Sequence, residues 1–375
     1  MKILAASGPG EVRVAAWDAA GLVDYAIWRP GLPDGVGDVH RGRVVARMPA
    51  LAGAFVAIDG ADGFLPDSEG GAEAAAQAGE GAMLGVRVTR AAQGGKGPRL
   101  TARLSPEDSA LAGAAGPVAL LRRGPGAVER LAALYPDAPV IVDDAALVAD
   151  LRGVLGARLR HGEAFDDEVE SAVAALGDSV AMLPGGARLS VHPTPALTAL
   201  DVDLAGLSAE RRGKTASQMA ANRALLPALA RQIRLRNLAG AILVDLAGLS
   251  TKRRAGLGAD LAAALATDPL RPRFLGFSAL GLVEILRPRI HPPLHEMLAG
   301  PHAAGLAALR QAAADIAANP VRALVLHAAP AVAAALAADP VALKALADRA
   351  GRPMIVREDR ALPALGWTLK DLPRG

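Results

Sequence analysis

Apolar and polar residues alternate along the first hundred residues, as they do in β-strands with one buried face. The opening segment, 1–30, predicts strands separated by turns at glycine and aspartate. From about Gly37 to Leu104 come five short runs: RGRVVARMPA, GAFVAIDG, ADGFLP, GVRVTRAAQ and PRLTARL. Short strands separated by glycine are typical of a small closed barrel, which we expect at residues 37–104.

Beyond the barrel, the pattern predicts alternating strands and helices. Residues 116–182 combine both signals, and the Ala-rich tail from about Pro292 predicts helix, strand, helix, strand. Between them, LTALDVD and AGAILVD predict two strands that flank the basic helical segment ARQIRLRNL. This pattern indicates an α/β protein, and 375 residues suggest two or three domains.

Three aspartates at the ends of these two strands are candidates for metal binding. Side chains alternate along a strand, so Asp201 and Asp203 point to one face, and Asp245 ends the second strand. Convergent carboxylates would suit a hard cation such as Mg²⁺, which would lower the pKa of a bound water. The alternative is structural, because aspartate also commonly ends strands and caps helices.

Basic and aromatic residues are placed where they could contact a nucleic acid. Phe55 and Phe64 could stack on unpaired bases, or both rings could belong to the barrel core. Arginines on a helix are usually only solvated, whereas the cluster after Asp245 is better placed to meet phosphate. The basic candidates are Arg41, Arg43 and Lys96 in the barrel, Arg234 and Arg236 before the second strand, and Lys252, Arg253 and Arg254 after it.

Composition narrows the class of protein. The chain has no cysteine, which excludes disulfides and thiolate zinc sites and favours the cytoplasm. No apolar run approaches the roughly 20 residues that span a bilayer, so we expect no membrane association, and the start does not read as a signal peptide. A net charge of +3 permits nucleic-acid binding without requiring it.

In this order, these segments resemble the ribonuclease E/G family of bacterial endoribonucleases. The resemblance is strongest at LPGGARLSVHPTPALTALDVD, ARQIRLRNLAGAILVDLAGLSTKRR and GFSALGLVEILRPR. It implies an α/β multidomain fold with four parts: a truncated RNase-H-like domain at 1–36 and 105–182, an inserted OB-fold RNA-binding barrel at 37–104, a DNase-I-like catalytic domain at 183–291, and a small α/β domain at 292–375.

The resemblance also implies roles for individual residues. Asp201 and Asp245 match the paired aspartates that hold the family's catalytic Mg²⁺, for which Mn²⁺ could substitute. Asp203 stands where the family has an asparagine, and Asn222 matches an asparagine in the intervening helix that we include among the RNA-binding residues. Phe55, Phe64 and Lys96 match barrel positions that grip single-stranded RNA, which the family cuts to 5′-phosphate and 3′-hydroxyl ends.

Departures from the family pattern qualify this expectation. The family's zinc link between subunits needs cysteines, so we expect no zinc, and any homodimer must form through another interface. The segment that senses a 5′-monophosphate has no room here, so we expect no 5′-end sensing. Asp203, Gly248 and His192 differ from the family residues, so the alternative is a catalytically weakened RNA-binding protein. A third possibility is an unrelated metal-dependent phosphodiesterase that acts on small substrates.

Overall fold

In the computed structural model, which describes residues 1–70, 79–204 and 215–372, the chain begins with three antiparallel strands. They are β1 (Lys2–Gly8), β2 (Glu11–Asp18) and β3 (Gly21–Trp28). Lys2 pairs with Trp17 and Val12 with Trp28. This confirms the strands predicted from the alternation of the opening segment.

A barrel follows, in a compact unit of its own that comprises residues 34–126 and 289–292. Five strands close on themselves in the order β5-β6-β8-β7-β4, because β4 also pairs with β5, and a sixth strand, β9, pairs with β4. The elements are β4 (Val39–Met48), β5 (Gly53–Ile58), β6 (Ala61–Pro66), β7 (Met83–Arg90), β8 (Arg99–Thr101), α1 (Pro106–Gly113) and β9 (Ala119–Arg122). The predicted closed barrel is confirmed, and its unit extends further along the chain than the expected 37–104.

The other compact unit comprises residues 1–33, 127–288 and 293–375. Its first sheet has the order β11-β10-β1-β2-β3, in which β10 and β11 run parallel to β1. The elements after the barrel are α2 (Ala127–Leu134), β10 (Val140–Val142), α3 (Ala145–Leu155), β11 (Leu159–His161) and α4 (Asp167–Ala174). Strands β1 and β10 therefore lie side by side in the sheet, although residues 34–126 of the barrel unit separate them in sequence.

A six-stranded sheet carries the acidic strands. Its order is β12-β13-β14-β15-β17-β16, and β14 and β15 are parallel. The elements are β12 (Val180–Met182), β13 (Arg188–Pro193), β14 (Thr198–Asp203), α5 (Thr215–Leu235), β15 (Gly240–Asp245), α6 (Thr251–Arg254), α7 (Gly258–Leu265), β16 (Arg273–Phe277) and β17 (Val283–Arg287). The predicted strand–helix–strand crossover is thus present as β14, α5 and β15.

One face of this sheet is buried under α5 and α7. Leu226, Leu229 and Ile233 recur at helical spacing on α5, and all three are buried. They pack in one cluster with Leu200 of β14 and Ile242 of β15. Because successive strand residues point to opposite faces, the aspartates between these apolar residues are directed away from the core.

The tail forms a small sheet covered by helices, with the order β19-β18-β20. Its elements are α8 (Leu294–Leu298), α9 (Gly300–Ala318), β18 (Leu324–Ala328), α10 (Pro330–Ala337), α11 (Pro340–Ala350), β19 (Ile355–Glu358) and β20 (Trp367–Asp371). No single helix among the described residues is long and apolar enough to cross a membrane. In the part of the chain that the structure describes, α10 and α11 together meet that test of length and composition, and they are bent by 84° at the break.

Candidate active site

Two aspartates on neighbouring parallel strands form the centre of the candidate site. Asp201 of β14 and Asp245 of β15 are register partners, so their side chains leave the same face of the sheet about 5 Å apart at the backbone. Both residues are exposed, whereas Leu200 and Val244 beside them in sequence are buried. The strand pattern therefore places two carboxylates side by side, facing solvent.

Arg254 holds one of these carboxylates in place. Its Nη1 lies 2.7 Å from Oδ1 of Asp245, and its guanidinium also donates to the carbonyls of Leu249 (2.9 Å) and Gly281 (2.8 Å). The Arg254 side chain is only 12% exposed, whereas that of Asp245 is 51% exposed. Arg254, predicted as a phosphate ligand, is thus a fixed partner of Asp245, while Lys252 and Arg253 on the same short helix are exposed.

Asp203 lies two residues after Asp201 on β14, on the same face of the sheet, and it has a counter-ion. Arg188 is its register partner on β13, and Arg188 Nη2 lies 2.8 Å from Asp203 Oδ2. Arg188 was not among the residues predicted from the sequence. The signal was available, because β13 and β14 form a hairpin whose turn sets the pairing: Thr194 N donates to Leu197 O at 2.9 Å.

The side chain of Asn222 contacts the loop after Asp245 and does not reach solvent. Its side chain is fully buried, and its Nδ2 donates to the carbonyls of Gln218 (2.9 Å) and Ala247 (3.0 Å). Its Oδ1 has no hydrogen-bond partner within the described part of the chain. A buried side chain cannot contact RNA directly, so the predicted RNA-binding role of Asn222 is replaced by a positioning role for the loop at Ala247.

We expect Asn222→Ala to lower the free energy of unfolding by about 1–3 kcal/mol, because it leaves the Ala247 carbonyl without its buried donor. Urea denaturation followed by circular dichroism would measure the loss. Asn319→Ala, at an exposed position, is the control. An unchanged midpoint for Asn222→Ala would remove it from the supports of this loop.

Two arginines that we predicted to approach phosphates have structural partners instead. Arg236 is only 5% exposed and donates to the carbonyls of Leu176 (2.9 Å) and Ala175 (3.2 Å), and burial lowers its pKa. Arg234 forms an ion pair with Asp24 and donates to the Tyr135 hydroxyl at 2.5 Å. Burial of Arg234 would lower its pKa, but the hydrogen bond and charge of Asp24 outweigh burial and raise it. We therefore omit both from the proposed RNA-binding residues.

The barrel brings its two predicted aromatic residues together. Phe55 and Phe64 are register partners on β5 and β6, with ring centroids 5.6 Å apart and planes at 64°. Both rings are half-buried and lie outside the apolar barrel core, which favours the stacking interpretation over the core one. A Cβ at Gly53 would lie 2.5 Å from Cζ of Phe64, so the glycine leaves room for that ring.

The predicted basic residues of the barrel differ in exposure. Lys96 and Arg43 are exposed, and Lys96 ends a tight turn in which its backbone bridges Gln93. Arg41 is only 9% exposed and donates to the Pro117 carbonyl at 3.4 Å, a long hydrogen bond. Arg41 therefore supports β4 and β9, which pair through it, and does not follow an RNA backbone.

Comparison with known proteins gives matches to the segment that contains the six-stranded sheet. Residues 160–290 match the sequence model of the Ribonuclease E/G family. Ribonuclease E of Synechocystis sp. is 32% identical over 120 residues, 32% of this chain and 18% of the relative. Ribonuclease E of Nostoc sp. is 33% identical over 118 residues, 31% of this chain and 17% of the relative. The match spans less than a fifth of each relative. The resemblance inferred from the sequence is confirmed over residues 160–290, which contain Asp201 and Asp245.

Proposed function

We propose that this chain, which carries a ribonuclease E/G family segment at residues 160–290, is a metal-dependent endoribonuclease that cuts single-stranded RNA. The observation that supports it most is the register pairing of Asp201 with Asp245, both exposed, within that segment. In the proposed reaction, a phosphodiester of RNA is hydrolysed to 5′-phosphate and 3′-hydroxyl ends, in the cytoplasm and without sensing of the 5′ end.

The donor set fits a hard divalent cation. Asp201 has no ion-pair partner among residues 1–70, 79–204 and 215–372, and both partners offer carboxylate oxygens to solvent. In the same ranges, no three or more His, Cys, Asp or Glu residues form a group that could hold a metal ion. A cation bound by the two carboxylates alone would therefore keep several waters, as Mg²⁺ does and Mn²⁺ could. Bound Mg²⁺ would lower the pKa of a water and stabilise charge on the phosphate. Zinc is not part of the proposal.

The chain's own residues bind and orient in this proposal. Phe55 and Phe64 would stack on unpaired bases, and Lys96 and Arg43 would attract the RNA backbone. Lys252 and Arg253 would meet phosphates near the carboxylates, because they follow Asp245 on an exposed turn of helix. Arg254 positions the Asp245 carboxylate through its bond to Oδ1.

The architecture that we propose follows the same family. The five-stranded sheet, with three antiparallel strands and two parallel ones, would be the RNase-H-like part, and the closed barrel the OB-fold part. The six-stranded sheet would be a DNase-I-like domain, and the tail a small α/β domain. A homodimer, if one forms, would use an interface without zinc, since the chain has no cysteine.

The test is cleavage of a 5′-labelled, unstructured, AU-rich RNA by the purified chain with Mg²⁺ or with EDTA. We expect internal cuts with Mg²⁺ and intact RNA with EDTA. Products with 5′-hydroxyl ends, or equal cleavage with EDTA, would exclude the proposed chemistry.

For the barrel, we expect Phe64→Leu to weaken the binding free energy for single-stranded RNA by about 1–3 kcal/mol, because stacking one base on an aromatic ring contributes about that much. Phe64→Tyr keeps a ring and should bind nearly as well as the natural protein. Fluorescence anisotropy in EDTA measures binding without cleavage. Equal affinities for the two variants would show that the ring does not stack on RNA.

A second function is favoured by the pairing of two of the three aspartates with arginines. Arg254 lies against Asp245, and Arg188 lies against Asp203. Each arginine competes with a cation for its carboxylate, which would suit a family member that binds RNA but has lost its chemistry. Salt-sensitive retention of intact RNA in Mg²⁺ would identify this function.

A further inference from the structure

A row of side chains crosses the outside of the barrel. Phe55 pairs with Phe64, Phe64 with Arg99, and Arg99 with Arg90, on the four adjacent strands β5, β6, β8 and β7. Register partners share a face, and neighbouring strands lie about 4.8 Å apart, so the row is about 14 Å long. Two aromatic rings are thus followed by two arginines.

A β-bulge directs Arg90 into this row. Val88 pairs with Leu100, but Arg90, two residues later, pairs with Arg99, so Thr89 is the extra residue. A bulge of this kind turns the following side chain to the other face. Val88 and Leu100 are buried in the barrel core, whereas Arg90 and Arg99 are half-buried on its outside.

A third arginine approaches from a distant part of the sequence. Residues 289–292 belong to the barrel unit, and Ala91 N donates to Ile290 O at 2.8 Å, which brings Arg289 beside the end of β7. Burial is the largest cause that lowers the pKa of Arg90, and the positive charges of Arg99 and Arg289 lower it further. Three like charges are therefore gathered at the end of the row.

Among the described residues, no acidic side chain forms an ion pair with this cluster. None of the three arginines has an ion-pair partner in the ranges that the structure describes, and Arg90 Nε is buried without a hydrogen-bond acceptor. By contrast, two other buried arginines have acidic partners: Arg29 pairs with Glu11 and Arg287 pairs with Asp268. Like charges held together without a counter-charge destabilise the protein unless an anion binds.

We propose that Arg90, Arg99 and Arg289 form a phosphate-binding cluster that continues the Phe55–Phe64 stacking pair, so that single-stranded RNA crosses the barrel from the rings to the arginines. Guanidinium groups suit this role, because their donors match the oxygens of a phosphate. The cluster rests on the RNA binding of the proposed function and is independent of cleavage.

The test compares two triple variants that remove the same charge. The first is Arg90→Gln, Arg99→Gln, Arg289→Gln. The control is Arg152→Gln, Arg160→Gln, Arg357→Gln, at three exposed positions of the other compact unit. Binding is measured in EDTA, between 50 and 200 mM salt, to a uridine oligomer and to an abasic ribose-phosphate oligomer of the same length.

Each lost phosphate contact should reduce the slope of log K against log salt by about 0.7, so the cluster variant should lose about 2 units of slope on both oligomers. Over this salt range, the natural protein should then lose about 20-fold more affinity than the cluster variant. The control variant should keep the natural slope. Thermal midpoints should not fall, because the three cluster side chains have no ion-pair partner to lose among the described residues and their mutual repulsion is removed.

Three outcomes would overturn the cluster: a natural slope in the cluster variant, an equal loss in the control variant, or a loss confined to the uridine oligomer. If the natural protein binds neither oligomer at low salt, the cluster and the proposed RNA binding fail together. If it binds both with the expected slope but cuts no RNA with Mg²⁺, the cluster holds and only the cleavage part of the proposed function fails.

Discussion

Replacing Asp201 and Asp245 together with asparagine is expected to lower RNA cleavage by about three orders of magnitude or more. Asparagine has nearly the shape of aspartate but no charge, so the pair would lose its attraction for a divalent cation. Both residues are exposed, so the fold should be unchanged. Single-turnover cleavage of the labelled RNA with Mg²⁺ measures the effect.

Two further measurements make this prediction specific to the metal. Mn²⁺ binding, followed by its electron paramagnetic resonance signal, should be lost in the double variant and kept in the control Asp348→Asn. Asp348 is exposed and paired with Lys344 on the tail helix α11. RNA binding in EDTA should also be kept. Cleavage by the double variant at the natural rate would end the metal assignment, and retained Mn²⁺ binding without cleavage would place the metal elsewhere.

The largest expected effect on stability is at Arg287, the last residue of β17. Its Nε lies 2.7 Å from Asp268 Oδ2, its Nη1 donates to Asn237 Oδ1 at 2.6 Å, and both charged side chains are 4% exposed. Arg287→Ala would leave the Asp268 carboxylate buried without its partner. We expect a loss of about 3–5 kcal/mol in the free energy of unfolding, measured by urea denaturation.

The matched control is Lys344→Ala, which breaks an ion pair whose side chains are 74% and 64% exposed. That change should cost less than about 1 kcal/mol. Replacing Arg287 with Met and Asp268 with Leu together should recover much of the loss, because neither partner is then an isolated buried charge. Equal losses for Arg287→Ala and Lys344→Ala would contradict the importance of burial here.

The sequence predicted the acidic strands well, because alternation is a local property. Apolar residues on one face and Asp201 and Asp203 on the other could be read directly from LTALDVD. It did not predict which carboxylates would be paired. Arg188 lies on a strand that we did not identify, and its contact with Asp203 depends on a hairpin turn four residues long. The pairing of distant segments is fixed by register, which alternation alone does not give.

The basic residues were predicted least well. Arg234 and Arg236 both lie in the basic segment ARQIRLRNL. Arg234 nevertheless pairs with Asp24, and Arg236 donates to the Leu176 carbonyl. A charged residue in a helical pattern indicates only that its side chain can reach solvent, and the sequence does not show which distant residue will pair with it. The same limit explains why Arg289, far from the barrel in sequence, was not among the predicted RNA-binding residues.

The barrel unit is discontinuous, and this has a consequence for biosynthesis. Its last four residues, 289–292, are separated from the rest by residues 127–288, which include the strands of both aspartates. At about 5–20 residues per second, a ribosome needs roughly 8–30 s to add those ~160 residues. Until then, Ala91 N has no Ile290 carbonyl to which it can donate, and Arg289 is absent from the arginine cluster. The nascent chain thus completes the proposed phosphate-binding cluster only after the acidic strands have been synthesised.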